Sequence, residues 1–213
     1  VIIPTYRSAA GLSALVDRLL PVLRDCSSVF EIIFVDDGSR DGTRAEIERL
    51  CQIHPQILGI FLMRNYGQHS AILCGIRAAH HEISITMDDD LQHPPEEIPR
   101  LLEALTDDVD VVYGTPLTEQ HGFLRDLASR LSKFVLISSM GAEMSRKASA
   151  YRVFRTRLRR AFTDFQGTFV LIDMLLTWGT TRFNWLAVRH DPRARGASNY
   201  TTRKLVSHAL NVL

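Results

Sequence analysis

The sequence of 213 residues predicts an α/β protein, an open sandwich whose mostly parallel central sheet carries helices on both faces. Two observations predict this fold class. Apolar segments alternate with amphipathic segments along the first half of the chain, and the apolar segments are too uniformly hydrophobic to expose one face to water. Acidic residues directly follow two of these predicted strands, and in parallel sheets ligands bind beyond the carboxyl ends of the strands.

The predicted strands and helices follow one another in regular alternation. The strands are Val1–Pro4, Phe30–Val35, Ile57–Met63, Ile83–Met87 and Val109–Tyr113. The helices between them are Ala10–Leu23, Thr43–Cys51, Ser70–His80 and Glu96–Leu105. Beyond Gly114 the alternation ends, and the remaining pattern predicts a helix over Phe123–Ser139, a polar loop over Val188–Tyr200 and a final helix over Thr202–Leu213.

The composition is that of an ordinary globular domain, with 46% hydrophobic and 23% charged residues. Three scattered cysteines without metal-ligand spacing fit a reducing compartment. No apolar run approaches the roughly 20 residues that span a bilayer. The chain opens inside a predicted strand and closes inside an apolar helix, so we expect a domain cut from a longer protein, and flanking membrane segments remain an open alternative.

The net charge of +1 hides an asymmetry between the two halves of the chain. Residues 1–106 carry 9 Lys or Arg against 15 Asp or Glu, whereas residues 107–213 carry 16 against 9. Halves of opposite sign favour a metal-dependent region beside a surface that meets an anion. The alternative is ordinary surface charge that is unevenly distributed.

Three adjacent carboxylates, Asp88, Asp89 and Asp90, directly follow the apolar strand Ile83–Met87. Like charges in a row repel one another, and packing gives no reason to keep them together. A divalent cation bound to a polyphosphate would supply the reason, because Mg²⁺ and Mn²⁺ prefer oxygen ligands and often stay bridged to substrate phosphates. The alternative is a solvated acidic turn before the helix that begins near Glu96.

Asp36 and Asp37 form a second acidic pair after an apolar strand. A carboxylate at this place can accept a hydrogen bond from a nucleobase N–H or a ribose hydroxyl, although Asp-Gly sequences are also ordinary turn and cap residues. The polar loop 64–70 either lines a nucleotide pocket or is an ordinary turn. No glycine-rich phosphate loop follows a strand, which leaves phosphate charge to a metal and to basic side chains such as those of 193–200, unless that segment is a solvated basic loop.

Five motifs follow one another along the chain: Ile3-Pro4-Thr5-Tyr6, Val35-Asp36-Asp37-Gly38-Ser39, Arg64-Asn65-Tyr66-Gly67-Gln68-His69-Ser70-Ala71, Asp88-Asp89-Asp90-Leu91-Gln92-His93-Pro94-Pro95-Glu96 and Arg195-Gly196-x-Ser198-x-Tyr200. Together they resemble the motifs of the inverting family 2 glycosyltransferases of GT-A fold, and within that family those of the polyprenyl-phosphate sugar transferases. The resemblance implies a Rossmann-like GT-A sandwich that forms one catalytic domain over 1–213. Within it, about 1–113 would bind nucleotide and metal and about 114–213 would bind the acceptor.

The same resemblance implies a role for each motif residue. The residues expected to bind the nucleotide sugar are Pro4, Tyr6, Asp36, Asp37, Asp88 and Asp89, with Asp88 at the ribose. Asp90 and Gln92 would bind Mg²⁺ or Mn²⁺, and Asp90, Arg195 and Ser198 are the expected catalytic residues. Arg125 and Arg130 are weaker candidates for binding the acceptor.

The resemblance also implies the partners of the protein. They are a nucleotide-sugar donor, with UDP favoured over GDP or dTDP, a polyprenyl-phosphate acceptor and the membrane surface on its cytoplasmic side; no nucleic-acid partner is expected. Two departures leave alternatives open. Arg7-Ser8 follows the Pro-x-Tyr motif where Asn-Glu is usual, which leaves the nucleobase undecided. Members of the family often carry an aspartate in the segment that corresponds to Ser149–Tyr151, and this chain has none there.

The missing aspartate bears on the class of acceptor. A phosphate acceptor is already ionised near neutral pH, whereas a hydroxyl acceptor needs a general base, for which Asp164 or Asp173 are the candidates. A glycosyltransferase with a soluble saccharide or protein acceptor is therefore one alternative. A nucleotide-sugar-binding pseudoenzyme is the other.

Overall fold

A computed structural model describes residues 1–116 and 140–192, and within these residues the strands form one sheet. The strands are β1 (Ile2–Thr5), β2 (Ile32–Asp36), β3 (Ile57–Phe61), β4 (Ile83–Thr86), β5 (Val111–Pro116), β6 (Arg152–Arg155) and β7 (Phe183–Val188). The α-helices are α1 (Leu12–Cys26), α2 (Thr43–Ile53), α3 (Gln68–Ala78), α4 (Ile98–Glu103), α5 (Ala142–Lys147) and α6 (Ile172–Gly179). Two 3₁₀ segments, Pro95–Glu97 and Thr156–Phe162, complete the described elements.

The sheet has the strand order β3-β2-β1-β4-β6-β5-β7, and only β6 runs against its neighbours among the described strands. The pairs β1–β2, β2–β3, β1–β4 and β5–β7 are parallel. All five predicted strands are present, so the mostly parallel sheet is confirmed. Strands β6 and β7 were not predicted, because charged or polar residues such as Arg152, Arg155 and Asn184 interrupt their apolar pattern.

Helices cover both faces of the sheet, as predicted. Alternate residues of β2 point to opposite sides, so that Phe34 belongs to the core under α1, α2 and α4, whereas Ile33 belongs to the core under α3 and α6. Both side chains are fully buried. This two-sided burial explains why the strands read as continuous apolar runs.

The predicted helices differ from the observed ones mainly at their ends. The helix predicted over Glu96–Leu105 is divided into the 3₁₀ segment Pro95–Glu97 and α4, which contains Pro99 near its start. Helix α3 begins two residues before the predicted position, at Gln68. The helices predicted over Phe123–Ser139 and Thr202–Leu213 lie outside the described residues.

The chain changes direction of travel across the sheet at β1. From β1 it proceeds through β2 to β3 on one side, and it then returns to place β4 on the other side of β1. Such a switch point opens a crevice at the carboxyl ends of the two central strands, where open α/β sheets bind their ligands. The turns after β1, β2 and β4 all lie at this edge. No helix in the described part of the chain is long and apolar enough to cross a membrane.

Candidate active site

The acidic turn after β2 is hydrogen-bonded to a neighbouring loop. Asp36 and Asp37 are each only 3% exposed. The Asp37 carboxylate accepts hydrogen bonds from the backbone N–H groups of Tyr66 at 2.6 Å and Gly67 at 2.8 Å. Asp36 accepts a hydrogen bond at 3.2 Å from the backbone of Ser39. Asp37 therefore holds the polar loop 64–67 at the edge of the crevice, while Asp36 closes its own turn.

Gly38 makes this close approach of the two segments possible. Its φ of +71° lies in the left-handed region, which residues with a Cβ rarely adopt. A Cβ placed on Gly38 would lie 2.5 Å from the backbone carbonyl carbon of Arg64. A glycine is required here for two independent reasons.

The opening motif joins the same corner of the sheet. Pro4 is buried in β1 opposite Val35, and the backbone N–H of Asp37 donates to the Thr5 carbonyl at 2.9 Å. Tyr6 is partly exposed, with the Arg7 guanidinium 5.3 Å from the centroid of its ring. Pro4, Tyr6, Asp36 and Asp37, four of the residues predicted to bind the nucleotide sugar, thus lie at the same corner of the sheet.

The triple aspartate forms the opposite wall of the crevice. Asp88, Asp89 and Asp90 are partly exposed, in contrast to Asp36 and Asp37. Asp88 accepts a hydrogen bond from the Gln68 amide at 2.6 Å, which ties it to the first residue of α3. Asp89 accepts one from the Ser8 hydroxyl, which ties it to the turn after β1. The three carboxylates therefore face different partners.

Asp90 and Gln92 are brought together by the turn at Leu91. The backbone N–H of Gln92 donates to Asp90 Oδ1 at 3.1 Å. Leu91 itself has a φ of +62°, a backbone conformation that is unfavourable for residues other than glycine, and the residue is only 8% exposed. The buried side chain fixes the turn whose flanking residues are the two predicted metal ligands.

Two histidines, the buried His93 and the partly exposed His190, lie behind this turn. The ring of His93 stacks on Tyr151 at 5.0 Å and meets the edge of His190 at 5.5 Å. Burial, reinforced by His190 and Arg152, lowers the pKa of His93 from 6.5 to about 4 in spite of the opposing charge of Asp90. His93 is therefore neutral at physiological pH. His190 was not predicted as a site residue, and recognition of β7 as a strand would have placed it at this edge.

The donor set at the turn fits a hard divalent cation. Asp90 offers carboxylate oxygens and Gln92 an amide oxygen, the ligand atoms that hard divalent cations prefer. Within 1–116 and 140–192 no group of three or more His, Cys, Asp or Glu side chains is arranged to hold a metal ion. The site thus fits a cation that completes its coordination with substrate phosphates, as Mg²⁺ commonly does.

Asp173, a candidate general base, is already engaged. Its Oδ1 accepts hydrogen bonds from Arg152 Nη1 at 2.5 Å and from the Tyr113 hydroxyl at 2.9 Å. Arg152 is only 2% exposed, so the ion pair lies inside the protein. The other candidate, Asp164, is exposed and lines a cavity of about 390 Å³ together with Trp178, at the end of α6 remote from the crevice.

The arginine-rich stretch that follows β6 is largely engaged in internal contacts. Arg155 and Arg157 both approach Asp110, and Arg159 donates to carbonyl groups at the end of α3. Burial alone would raise the pKa of Asp110, but hydrogen bonds from Arg182 and its neighbours lower it to about 2. These cations therefore support the fold. The predicted Arg125, Arg130, Arg195 and Ser198 lie outside the described residues and remain predictions.

Comparison with known proteins identifies relatives over nearly the whole chain. Residues 1–171 match the profile of the family described as glycosyl transferase family 2. The undecaprenyl-phosphate 4-deoxy-4-formamido-L-arabinose transferase of Aeromonas hydrophila is 36% identical over 208 residues, which are 97% of this chain and 64% of that protein. The enzyme of the same name from Proteus mirabilis is 32% identical over 214 residues, 100% of this chain and 66% of that protein. The chain spans just under two thirds of the length of these relatives.

Solved structures share the fold at lower identity. Glucosyl-3-phosphoglycerate synthase of Mycobacterium tuberculosis, in complex with Mn²⁺, UDP-glucose and glycerol 3-phosphate, matches with a TM-score of 0.66 and 18% identity over 98% of this chain and 75% of that one. Mannosyl-3-phosphoglycerate synthase of Rubrobacter xylanophilus matches with a TM-score of 0.64 and 14% identity over 99% and 70%. These similarities confirm the predicted GT-A architecture. The family profile and the relatives above 30% identity establish that this chain belongs to glycosyl transferase family 2.

Proposed function

We propose that this chain is the catalytic domain of an inverting, metal-dependent glycosyltransferase that moves a sugar from a nucleoside diphosphate sugar to a polyprenyl phosphate. The observation that carries the proposal is the position of the partly exposed turn 88–92. It follows β4 at the switch point of the sheet, opposite the turns after β1 and β2. A nucleotide would lie between these walls, and its diphosphate would reach Asp90 and Gln92.

The proposed donor is a uridine nucleotide sugar. Tyr6 offers an aromatic ring at the corner of the crevice held by Asp37, and Asp88 offers a carboxylate to the ribose hydroxyls. A likeness in fold to a synthase solved with UDP-glucose supports the choice of uridine. The names of the relatives make 4-deoxy-4-formamido-L-arabinose the first sugar to test.

Asp90 and Gln92 would hold the cation, Mn²⁺ or Mg²⁺. A bound divalent cation would offset the negative charge that develops on the diphosphate as it leaves. The fold neighbour that was solved with Mn²⁺ supports this choice of ion. The buried Leu91 and the hydrogen bond from the backbone of Gln92 to Asp90 keep these two side chains on the same turn.

The positions of the two candidate general bases, Asp164 and Asp173, favour a phosphate acceptor over a hydroxyl acceptor. The phosphate oxygen would attack the anomeric carbon from the face opposite the diphosphate, the bond from that carbon to the diphosphate would break, and the configuration would invert. A phosphate monoester has a second pKa of about 6 and needs no general base. Asp173 is committed to Arg152 and Tyr113, and the exposed Asp164 lies away from the crevice, so neither favours a hydroxyl acceptor.

A polyprenyl acceptor implies work at a membrane surface. The relatives are named for undecaprenyl phosphate, a lipid. We propose that the crevice opens toward the membrane on its cytoplasmic side, where nucleotide sugars are made. Arg195 and Ser198 are then the proposed partners of the phosphates, with Arg125 and Arg130 as further candidates on the acceptor side.

A transfer assay with matched acceptors tests the function. The purified full-length protein is incubated with Mn²⁺, a UDP-sugar and either undecaprenyl phosphate or undecaprenol in detergent, and release of UDP and formation of the glycolipid are measured. We expect product only with the phosphate, because neither candidate base is placed to activate a hydroxyl.

The outcomes separate the candidate functions. Transfer to undecaprenol or to a soluble saccharide at a similar rate would contradict the phosphate acceptor while keeping the glycosyltransferase. A panel of UDP-, GDP- and dTDP-sugars that gives neither turnover nor thermal stabilisation in the presence of Mn²⁺ would contradict the proposal as a whole, because a specific ligand raises stability by mass action.

A further inference from the structure

The segment 189–191, which directly follows β7, contacts the turn that carries the predicted metal ligands. The backbone N–H of Asp191 donates to the Gln92 carbonyl at 3.0 Å. The side-chain nitrogens Gln92 Nε2 and His190 Nε2 lie 3.3 Å apart. Both the backbone and the side chain of Gln92 are therefore in contact with a segment that is nearly a hundred residues away in the sequence.

An ion pair between Arg189 and Glu97 holds this segment beside the turn. Arg189 Nε donates to Glu97 Oε1 at 2.9 Å, and the residue Glu97 is only 4% exposed. Glu97 ends the 3₁₀ segment that follows the acidic turn. On the other side of the same segment, Arg18 binds Glu96 at 2.7 Å and approaches Asp191 at 3.7 Å. These charges join the end of β7 to the acidic turn at several points.

We propose that Arg189, His190 and Asp191 form a latch that positions Gln92 and thereby sets the metal affinity of the site. The inference rests on the proposed function, in which Asp90 and Gln92 hold the cation. The latch residues are positioning residues. His190 and the Asp191 backbone act on Gln92, and Arg189 acts through its ion pair with Glu97.

The physical need for a latch lies in the side chain of Gln92. A glutamine has several rotatable bonds and loses rotamer freedom when it is fixed. A contact that orders this side chain before the cation arrives removes part of that loss from the binding step. Partners that orient metal ligands from outside are typically worth roughly 10–100-fold in metal affinity.

Binding of Mn²⁺ in the presence of UDP tests the latch without turnover. Free Mn²⁺ is titrated by electron paramagnetic resonance against the full-length protein and its variants. We expect His190→Phe, which keeps an aromatic ring beside His93 but removes the nitrogen, to weaken Mn²⁺ binding about tenfold. Arg189→Gln acts one contact further away, so we expect a loss of about threefold. Thermal unfolding verifies that both variants are folded.

The matched control is the exposed pair of Arg44 and Glu48, which are 64% and 49% exposed in α2. Arg44→Gln removes an arginine from an ion pair just as Arg189→Gln does, but its partner Glu48 belongs to neither the latch nor the acidic turn. We expect its Mn²⁺ affinity to match that of the unmodified protein. An equal loss in both variants would mean that general charge, and not the latch, sets the affinity.

A double-mutant cycle decides whether His190 acts through Gln92. In a Gln92→Ala background, His190→Phe should cause no further loss of Mn²⁺ affinity, because the side chain that it positions is already gone. Losses that multiply would show that His190 acts on the cation independently, and would overturn its role as a positioning residue.

Asp90→Ala separates the latch from the function on which it rests. If Asp90→Ala abolishes Mn²⁺ binding while both latch variants bind like the unmodified protein, the latch is refuted and the metal site stands. If Asp90→Ala itself binds Mn²⁺ normally, the proposed metal site is refuted and the latch falls with it.

Discussion

Two acidic turns of similar sequence lie at the carboxyl ends of parallel strands, and they are used in different ways. Asp36 and Asp37, after β2, are 3% exposed and accept hydrogen bonds from backbone N–H groups of two loops. Asp88, Asp89 and Asp90, after β4, are partly exposed, and their described partners include the side chains of Gln68 and Ser8.

The difference follows from what each turn must do. A carboxylate that holds a backbone loop works best when it is buried, because charge-assisted hydrogen bonds are stronger away from water. A carboxylate that receives a ligand must keep part of its surface open to the crevice. We therefore propose that the first turn shapes the site and that the second binds the ligand, and substitutions can test this division.

The largest effect is expected at Asp90. Asp90→Ala should lower kcat/KM for sugar transfer about a thousandfold, because it removes charge stabilisation that matters most as the diphosphate leaves. Its free energy of unfolding should change little, since the side chain is partly exposed. Steady-state kinetics at saturating Mn²⁺ provides the measurement, and a rate within tenfold of the unmodified enzyme would argue against a metal-binding role.

The next effect compares the same substitution in the two turns. Asp37→Ala should lower the free energy of unfolding by about 3 kcal/mol, because the backbone N–H groups of Tyr66 and Gly67 lose a buried, charged acceptor. Asp88→Ala should cost less than about 1 kcal/mol but weaken binding of the nucleotide. Urea unfolding and calorimetric titration of UDP with Mn²⁺ measure the two quantities. Similar stability losses in both variants would remove the distinction between the turns.

A pH effect follows from the buried histidine behind the second turn. The pKa of His93 falls from 6.5 to about 4 on folding, so between these values the unfolded chain binds a proton that the folded protein does not. Stability is then full above pH 6.5 and declines by up to about 3 kcal/mol as the pH falls to 4. His93→Phe, which keeps the ring on Tyr151, should flatten this part of the stability curve. Unfolding is followed in a metal chelator, and an unchanged slope in the variant would contradict the assignment.

Most of the fold could be predicted from the sequence, because buried parallel strands leave an apolar signature that needs no partner to be recognised. Strands such as β2 are read directly from their composition. Strand β6 escaped because Arg152 is buried in an ion pair with Asp173, and a buried charge within a strand has the same appearance in sequence as an exposed one. Only the tertiary contact distinguishes the two cases.

The position of the candidate site could be predicted from the sequence, but the different roles of its two acidic turns could not. Sequence position placed both acidic turns at the correct edge of the sheet, because strand ends are visible in the sequence. It could not distinguish Asp37 from Asp88, since their burial depends on the loop 64–67 and on α3. His190 escaped because it follows the unpredicted strand β7, and its contact with Gln92 joins residues nearly a hundred positions apart.

The smallest effect isolates the close packing of the first turn. Gly38→Ala forces a Cβ onto a residue with a φ of +71° and within 2.5 Å of the Arg64 backbone, and we expect a loss of about 2 kcal/mol in the free energy of unfolding. Gly141→Ala is the matched control, because Gly141 has a φ of +86° but no heavy atom of the described residues would lie within 4 Å of a Cβ added there. That variant bears the conformational cost alone, about 1 kcal/mol. Urea unfolding of both variants measures the difference. Equal losses would show that the contact of Gly38 with the loop at Arg64 contributes nothing beyond the backbone conformation, and the first turn would then lose its role in holding that loop close.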